Sequence, residues 1–271
     1  MPELPEVETI RKGIAAHVLG ETVNDIIVRD RRLRWPVPVQ LRNKLTGKSI
    51  NKISRRAKYI IFHTGQGCML IHLGMSGSLR IITDNRPAEK HDHVDIVFAS
   101  GTRLRFRDPR RFGSILWTNG DPLQHKLLEH LGPEPLDAEL NGDYLFKKSR
   151  RRKQSVKTFI MDSRMVAGVG NIYANEALFA AGIHPKRNAG KISKPRYEKL
   201  AAAIKQVLRQ ALAKGGTTLR DFVNGDGVPG YFRTELKVYG RAGIPCLTCK
   251  TPIKAHRLGQ RSAFYCPVCQ S

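Results

Sequence analysis

Four of the five cysteines form two C-x2-C pairs, Cys246/Cys249 and Cys266/Cys269, with 16 residues between them. Each pair can present two thiolates from one turn, and two such turns complete a tetrahedral all-sulfur zinc site. Turn-forming residues surround them: Gly243, Pro245 and Pro252 about the first pair, Pro267 inside the second. Disulfides would use the same residues, but the N-terminus lacks the pattern of an export signal, and a cytosol keeps thiols reduced. With all four positions filled by protein the metal is structural, since a catalytic zinc keeps one position open. Cys68 lies in the apolar run Cys68-Met69-Leu70-Ile71 and reads as core.

The second candidate is the start of the chain, Met1-Pro2-Glu3-Leu4-Pro5-Glu6. Once Met1 is removed, Pro2 is a secondary amine. An α-amine has a pKa of about 7.7–8.0, so a useful fraction is unprotonated near neutrality. A helix N-terminus favours the neutral amine over the ammonium. Such an amine can attack carbon and form an imine, as a catalytic lysine does. Glu3 stands beside it and Glu6 one turn on. The same residues are also ordinary chemistry for the start of a helix, and the residues alone leave both readings open.

Other segments carry groups suited to nucleic acid. Ala167-Gly168-Val169-Gly170-Asn171-Ile172-Tyr173 leads into a helix through two glycines, where backbone N–H groups bind phosphate. It has neither the last glycine of a dinucleotide fingerprint nor a P-loop Gly-Lys-Ser/Thr. Just upstream, residues 147–157 hold seven basic residues and no acid, either a backbone-gripping surface or a solvated face. Asp108-Pro109-Arg110-Arg111-Phe112-Gly113 sets an arginine beside an aromatic in a tight loop, after Arg103, Arg105 and Arg107 alternate along a strand. An arginine can read a base edge while an apolar wedge unstacks the duplex. His72-Leu73-Gly74-Met75-Ser76-Gly77 is a second tight loop with an apolar tip. Either loop alone could be a plain turn. Arg261, between Gly259 and the second cysteine pair, is a ribbon-tip arginine, a DNA contact or merely solvated.

These groups need elements to hold them. Val7, Ile10, Ile14 and Val18 predict a helix over 5–19, with Pro5 in its first turn and Gly20 as its stop. Short apolar runs at 23–28, 50–53, 59–62, 69–73, 79–82, 94–98 and 115–117 predict a β-sandwich or barrel. A short helix is expected near 39–45 and another at 121–131, followed by a Gly-Pro linker at 132–135. Beyond it helices are expected at 142–153, 155–162, 171–181 and 194–214, the last stopped by Gly215-Gly216.

Composition narrows the partner. With 47 Lys+Arg against 23 Asp+Glu the net charge is +24, which points to a polyanion. The hydrophobic share of 41% argues against disorder. No apolar run approaches the roughly 20 residues that span a bilayer. A soluble cytoplasmic protein is expected.

Taken together, Met1–Thr9, Arg56-Ala57-Lys58-Tyr59, the 72–77 loop, Lys90-His91-Asp92-His93, the 108–113 loop, Gly168–Tyr173 and the four-cysteine ribbon resemble bacterial formamidopyrimidine-DNA glycosylases, from residue 1 to 270. The resemblance implies an α+β protein. An N-terminal β-sandwich with flanking helices (1–132) would precede a helical helix–two-turns–helix domain (133–236) and a zinc ribbon (237–271) holding one structural Zn2+. It implies a monomer acting on double-stranded DNA in a bacterial cytoplasm, associated with the nucleoid by that binding. Its reaction would be excision of oxidised purines, chiefly 8-oxoguanine opposite cytosine and formamidopyrimidines, then strand cleavage by β- and δ-elimination.

By the same resemblance Pro2 matches the nucleophile on C1′, Glu3 the principal acid/base and Glu6 its support. Lys58 matches the proton donor in β-elimination, and Arg261 the group assigned to δ-elimination. His72, Asn171 and Tyr239 match phosphate contacts, and His91, Arg110 and Lys153 match DNA-binding positions. Met75, Arg110 and Phe112 match the side chains that fill the gap left by a flipped base, with Arg110 facing the orphaned cytosine. Residues 225–232 correspond to a mobile loop over the lesion. Leu4 and the Met75/Arg110/Phe112 set favour this family over the related endonuclease VIII, which prefers oxidised pyrimidines. A non-catalytic zinc DNA-binding protein is the alternative outside enzymes.

Overall fold

The computed structural model describes residues 2–84, 86–215 and 236–271. The expected loop at 225–232, and Gly216, lie outside the described residues. The chain divides between Glu129 and His130 into two compact units, the second pairing residues 130–214 with the C-terminal segment.

The first unit opens with α1 (Leu4–Val18), whose Val7, Ile10, Ile14 and Val18 are buried at helical spacing. Gly20, with φ 82°, ends the turn after it. Then come β1 (Val23–Val28), α2 (Leu41–Leu45), β2 (Lys52–Arg56), β3 (Tyr59–Thr64), β4 (Gly67–His72), β5 (Ser78–Ile82), β6 (Asp92–Phe98), β7 (Arg103–Arg107) and β8 (Ser114–Thr118). They form two antiparallel four-stranded sheets, ordered β1-β6-β7-β5 and β2-β3-β4-β8. One core joins them, taking Ile26, Ile96, Leu104 and Phe106 from the first sheet and Ile60, Phe62, Met69, Ile71 and Ile115 from the second. This is a sandwich.

Two connections between the sheets carry the tight loops. The chain leaves β4 in the second sheet and enters β5 in the first through residues 73–77. It returns from β7 in the first sheet to β8 in the second through 108–113. Because β5 pairs with β7 and β4 with β8, the two crossovers are neighbours.

Three local expectations are corrected. Ile50 does not start a strand; its N–H and C=O pair with Glu21 and Gly20, and β2 begins at Lys52. Residues 121–131 form no α-helix, only a 3₁₀ turn at Pro122–Gln124 and further turns. Asp121 accepts the Leu123 amide, and the His125 ring accepts the Leu127 amide. Such side-chain acceptors compete with the helical ladder. Nor is 132–135 a free tether: the Gly132 amide donates to Ser163 at 2.9 Å, and Ala167 donates to Pro133 at 3.1 Å.

The alternating arginines of β7 do share a face, but acids occupy it. Arg105, 3% exposed, grips Asp95 with two bonds of 2.9 Å and reaches Asp92 at 3.3 Å. Arg29 adds a 2.7 Å bond to Asp95, and Arg107 pairs with Glu89 and Asp92. Burial opposes ionisation of Asp95, but the hydrogen bonds and charges of Arg105 and Arg29 outweigh it and hold the carboxyl below its usual range.

The second unit contains α3 (Gly142–Ser149), α4 (Val156–Met161), α5 (Asn171–Ala180) and α6 (Lys194–Ala213), then the hairpin β9 (Lys254–Leu258) and β10 (Arg261–Tyr265). Asn141 and Ser155 cap α3 and α4 through their side chains. On α6, Leu200, Ile204, Leu208 and Ala211 are buried, while Val207 and Leu212 are only half-buried. No described helix is long and apolar enough to cross a membrane.

Removing one partner of a buried ion pair leaves an uncompensated charge, at about 3–5 kcal/mol. Arg105→Ala should therefore lower the urea midpoint of the first unit by that amount of stability. Both tryptophans, Trp35 and Trp117, lie in that unit and report it. An unchanged midpoint would show that the pair is dispensable.

Candidate nucleic-acid interface

Pro2, Glu3 and Glu6 are all buried. Glu3 is the N-cap of α1. Its amide donates to Glu6 Oε2 at 2.9 Å, and its own side chain accepts from the Glu6 amide, a capping box. The capping chemistry anticipated for these residues is therefore present, and it ties the Glu3 and Glu6 side chains to the first turn of α1.

Lys58 sits in the two-residue turn between β2 and β3, after Ala57 with φ 52°. A left-handed alanine costs roughly 1–2 kcal/mol; a 2.8 Å bond from Arg55 to the Ala57 carbonyl holds the turn. Across β3 and β4, Tyr59 and His72 are register partners with ring centroids 4.7 Å apart. His72 Nδ1 accepts the Gly74 amide at 3.0 Å, so the neutral ring carries its proton on Nε2 and offers a donor. Burial, with the charges of Lys58 and Arg34, pushes its pKa down to about 4.

The two sheet crossovers meet backbone to backbone. A Cβ on Gly74 would lie 2.4 Å from the Phe112 carbonyl carbon, and one on Gly113 would lie 2.8 Å from the His72 carbonyl oxygen. Met75, half-buried, and Arg110 and Phe112, both exposed, are carried by these two loops. The Arg110 guanidinium lies 5.0 Å from the centre of the Phe112 ring. Arg111, at φ 56°, is turned to Asp30 at 2.7 Å. His91 joins the same loop, its carbonyl accepting the Asp108 amide at 3.0 Å. Cys68 is core: burial raises its thiol pKa, and Sγ rests 3.3 Å from His63 Nδ1.

In the second unit α5 is the organising element. Gly168 takes φ 78° and Gly170 is the N-cap before Asn171. Asn175 donates to the Asn171 carbonyl at 2.6 Å and accepts the Phe264 amide at 2.8 Å. Glu176 accepts the amides of Lys237, Val238 and Tyr239 at 2.9–3.0 Å. The Tyr239 ring meets Phe264 edge-on at 5.1 Å. Sequence reasoning does not single out Asn175 or Glu176; the available signal is two polar residues inside an otherwise apolar helix.

The basic run 147–157 is not one surface. Lys157 is buried and donates to the Ser262 carbonyl at 2.5 Å, next to the exposed Arg261. Arg150 stacks 4.0 Å over Phe146 and bonds to the Ile192 carbonyl. Lys147 pairs with Asp143. Arg151, Arg152 and Lys153 are exposed, on backbone tied to Ser149, Gly190 and Asn188.

The four ribbon cysteines place their sulfurs within 4.8 Å of one another, with Cys246–Cys269 at 3.9 Å and Cys249–Cys266 at 3.3 Å. Zn–S bonds of about 2.3 Å in a tetrahedron set sulfurs about 3.8 Å apart, so this donor set fits zinc. No disulfide links them.

Three family models match: formamidopyrimidine-DNA glycosylase N-terminal domain over residues 1–115, formamidopyrimidine-DNA glycosylase H2TH domain over 131–223, and the zinc finger found in FPG and IleRS over 243–271. Curated formamidopyrimidine-DNA glycosylases of Marinobacter nauticus and Nitrosococcus oceani are 59% and 57% identical, each covering 100% of both chains. The chain belongs to the formamidopyrimidine-DNA glycosylase family. Among solved structures, the Thermus thermophilus MutM (Fpg) protein is 36% identical, with TM-score 0.88 over 99% of this chain and 98% of that one. The Lactococcus lactis Fpg in complex with DNA containing an abasic site is 34% identical, with TM-score 0.91 over 100% of both. Membership makes this chain a DNA glycosylase with a C-terminal zinc finger.

Two outcomes are expected from this geometry. His72 has a folded pKa near 4 against about 6.5 unfolded. The unfolded chain therefore takes up the extra proton between those values, and stability is lost as pH falls from 6.5 towards 4, by up to about 3 kcal/mol. His72→Gln should flatten that slope in tryptophan-monitored urea titrations; an unaltered slope would mean the ring is not held neutral. Chelating zinc, or Cys266→Ala, should lower the melting temperature of the second unit and leave tryptophan-reported unfolding of the first in place. Loss of zinc by atomic absorption without that shift would remove the structural role.

Proposed function

We propose that this chain excises oxidised purines, 8-oxoguanine opposite cytosine and formamidopyrimidines, from double-stranded DNA and then cleaves the strand. The observation that carries the reading is the buried Pro2-Glu3-Glu6 start of α1, in a chain whose full-length relatives are formamidopyrimidine-DNA glycosylases. The solved complexes of the Lactococcus lactis protein with Fapy-dG DNA and abasic-site DNA support the substrate class.

On this reading the Pro2 nitrogen, freed by removal of Met1, attacks C1′ of the damaged nucleotide. The nitrogen gives up its proton, the base leaves carrying a proton, the sugar ring opens at C1′ with its ring oxygen taking a proton, and an iminium ion joins Pro2 to C1′. The positive iminium acidifies the C2′ proton, so one intermediate serves base loss and β-elimination. Glu3 moves protons at the base and sugar, and Glu6 holds the Glu3 amide in place. Lys58 donates in β-elimination, and Arg261 acts in δ-elimination.

His72, Asn171 and Tyr239 hold phosphates, and His91, Arg110 and Lys153 bind DNA. Met75, Arg110 and Phe112 fill the gap, since chemistry on a stacked base first requires flipping it, at a few kcal/mol. Residues 1–132 form the catalytic domain, 133–236 the helical DNA-binding domain and 237–271 the ribbon, whose single Zn2+ substitutes for the core that so short a segment lacks. The protein works as a monomer in the bacterial cytoplasm.

Borohydride added to protein and duplex DNA bearing 8-oxoguanine opposite cytosine should trap a reduced adduct, mapped by mass spectrometry to Pro2 in molecules lacking Met1. Glu3→Gln should abolish excision while binding persists. Absence of any adduct with Pro2 confirmed free, despite tight binding, would favour a non-catalytic DNA-binding protein. Faster cleavage of oxidised pyrimidines would favour the endonuclease VIII-like reading.

A further inference from the structure

The two loops that carry Met75, Arg110 and Phe112 share a polar centre. Asp108 is fully buried, at 0% exposure. Its Oδ1 accepts the Ser76 hydroxyl at 2.6 Å, and its Oδ2 accepts the Gly113 amide at 2.7 Å. The Arg110 amide points between Ser76 Oγ, at 3.2 Å, and Asp108 Oδ1, at 3.3 Å. The backbone of Asp108 is also fixed: its carbonyl accepts from His93 Nε2 at 2.8 Å and from the Arg111 amide at 3.2 Å.

An aspartate that merely closed its own turn would bond only within 108–113. Here the shortest bond goes to a residue 32 positions away, in the other crossover. Ser76 follows Met75 directly and bonds the amide of Arg110, so one hydroxyl couples the residues on both tips. The close approach at Gly74 and Gly113 keeps the loops adjacent whether or not that hydroxyl is present. What Ser76 and Asp108 add is a fixed register between the tips.

We propose that Ser76 and Asp108 are positioning residues that lock Met75, Arg110 and Phe112 into one rigid piece and thereby set discrimination of the base opposite the lesion. The inference rests on the proposed reading of those three residues as the gap-filling set. Neither Ser76 nor Asp108 touches the reacting atoms; they act through the backbone of the tips. A rigid arginine meets one hydrogen-bonding edge well, whereas a tip free to shift by an ångström accepts several edges nearly equally.

The test compares wild type, Ser76→Ala and Ser76→Thr in single-turnover excision of 8-oxoguanine opposite cytosine and opposite adenine. Melting temperature and the fluorescence of a 2-aminopurine beside the lesion are read in parallel. Ser76→Ala should melt within a few degrees of wild type, yet lose about tenfold in its cytosine-to-adenine rate ratio, with an altered 2-aminopurine signal on binding. Ser76→Thr, which keeps the hydroxyl, should restore the ratio to within about twofold.

A merely structural role would change stability and leave the ratio alone. A wild-type ratio retained in Ser76→Ala, or an equal loss in both variants, overturns the proposal. Asp108→Asn, which weakens the same centre, supplies the ratio should Ser76→Ala not fold. Wild-type protein that fails to excise 8-oxoguanine at all removes the underlying reading instead, so the two failures are distinguishable.

Discussion

Two backbone segments cannot approach to van der Waals contact where a side chain stands between them, and in the first unit this requirement falls on Gly74 and Gly113. Gly74 also takes φ 62°, a conformation L-residues rarely adopt. Because both glycines lie where the chain passes between sheets, the constraint belongs to the sandwich as much as to the loops. Strands β4 and β7 must end, and β5 and β8 must begin, at matching heights for the crossovers to touch. The register pairs His72–Ser114 and Ser78–Arg107 place them so. An exposed phenylalanine would otherwise have little reason to stay on a protein surface. Here it stands on a base that the core of the sandwich holds still.

The second unit solves a similar problem by other means. Its ribbon packs only Val238, Cys246, Ile253 and Cys266 against Phe179 of α5, too little to specify a fold unaided. Four sulfurs in one place supply the missing constraint. Helix α5 then carries it onward: Asn175 holds β10 at Phe264, and Glu176 holds the segment ending at Tyr239. Gln270 finishes the knuckle, accepting the Cys266 amide at 2.9 Å while donating to the Ile183 carbonyl at 2.8 Å. A buried carboxylate that accepts three amides is well satisfied, which is why a charged residue is tolerated on so apolar a helix.

What the sequence made legible was what local chemistry determines. Cysteine spacing identified a metal-like cluster because ligands three apart lie on one turn. Short apolar runs marked most strands because the middle of a sandwich strand is buried over several consecutive residues, as in β3, β4 and β6. The illegible parts depend on partners far away in the chain. Arg105 looks like a surface cation until Asp92 and Asp95 of the neighbouring strand are seen opposite it. Lys157 looks like part of a basic run until the carbonyl of Ser262, 105 residues on, is found at its ammonium. The segment 121–131 misleads for another reason. Leucine periodicity suggests a helix, but Asp121 and His125 offer their side chains to amides that the helical ladder needs.

These distinctions bear on how a chain of net charge +24 would achieve selectivity. Phosphate contacts raise affinity for every sequence alike and weaken with salt. Cations already paired internally, such as Arg105, Arg107 and Lys157, add little to that term. The run Arg151–Lys153 is exposed and can contribute to it. Selectivity must come from groups whose geometry is fixed before DNA arrives, because a base edge is distinguished by hydrogen-bond direction and not by charge. On the proposed reading, rigidity at the tips of the crossovers, rather than the size of the net charge, is the property that would separate a lesion-specific enzyme from a merely adhesive one.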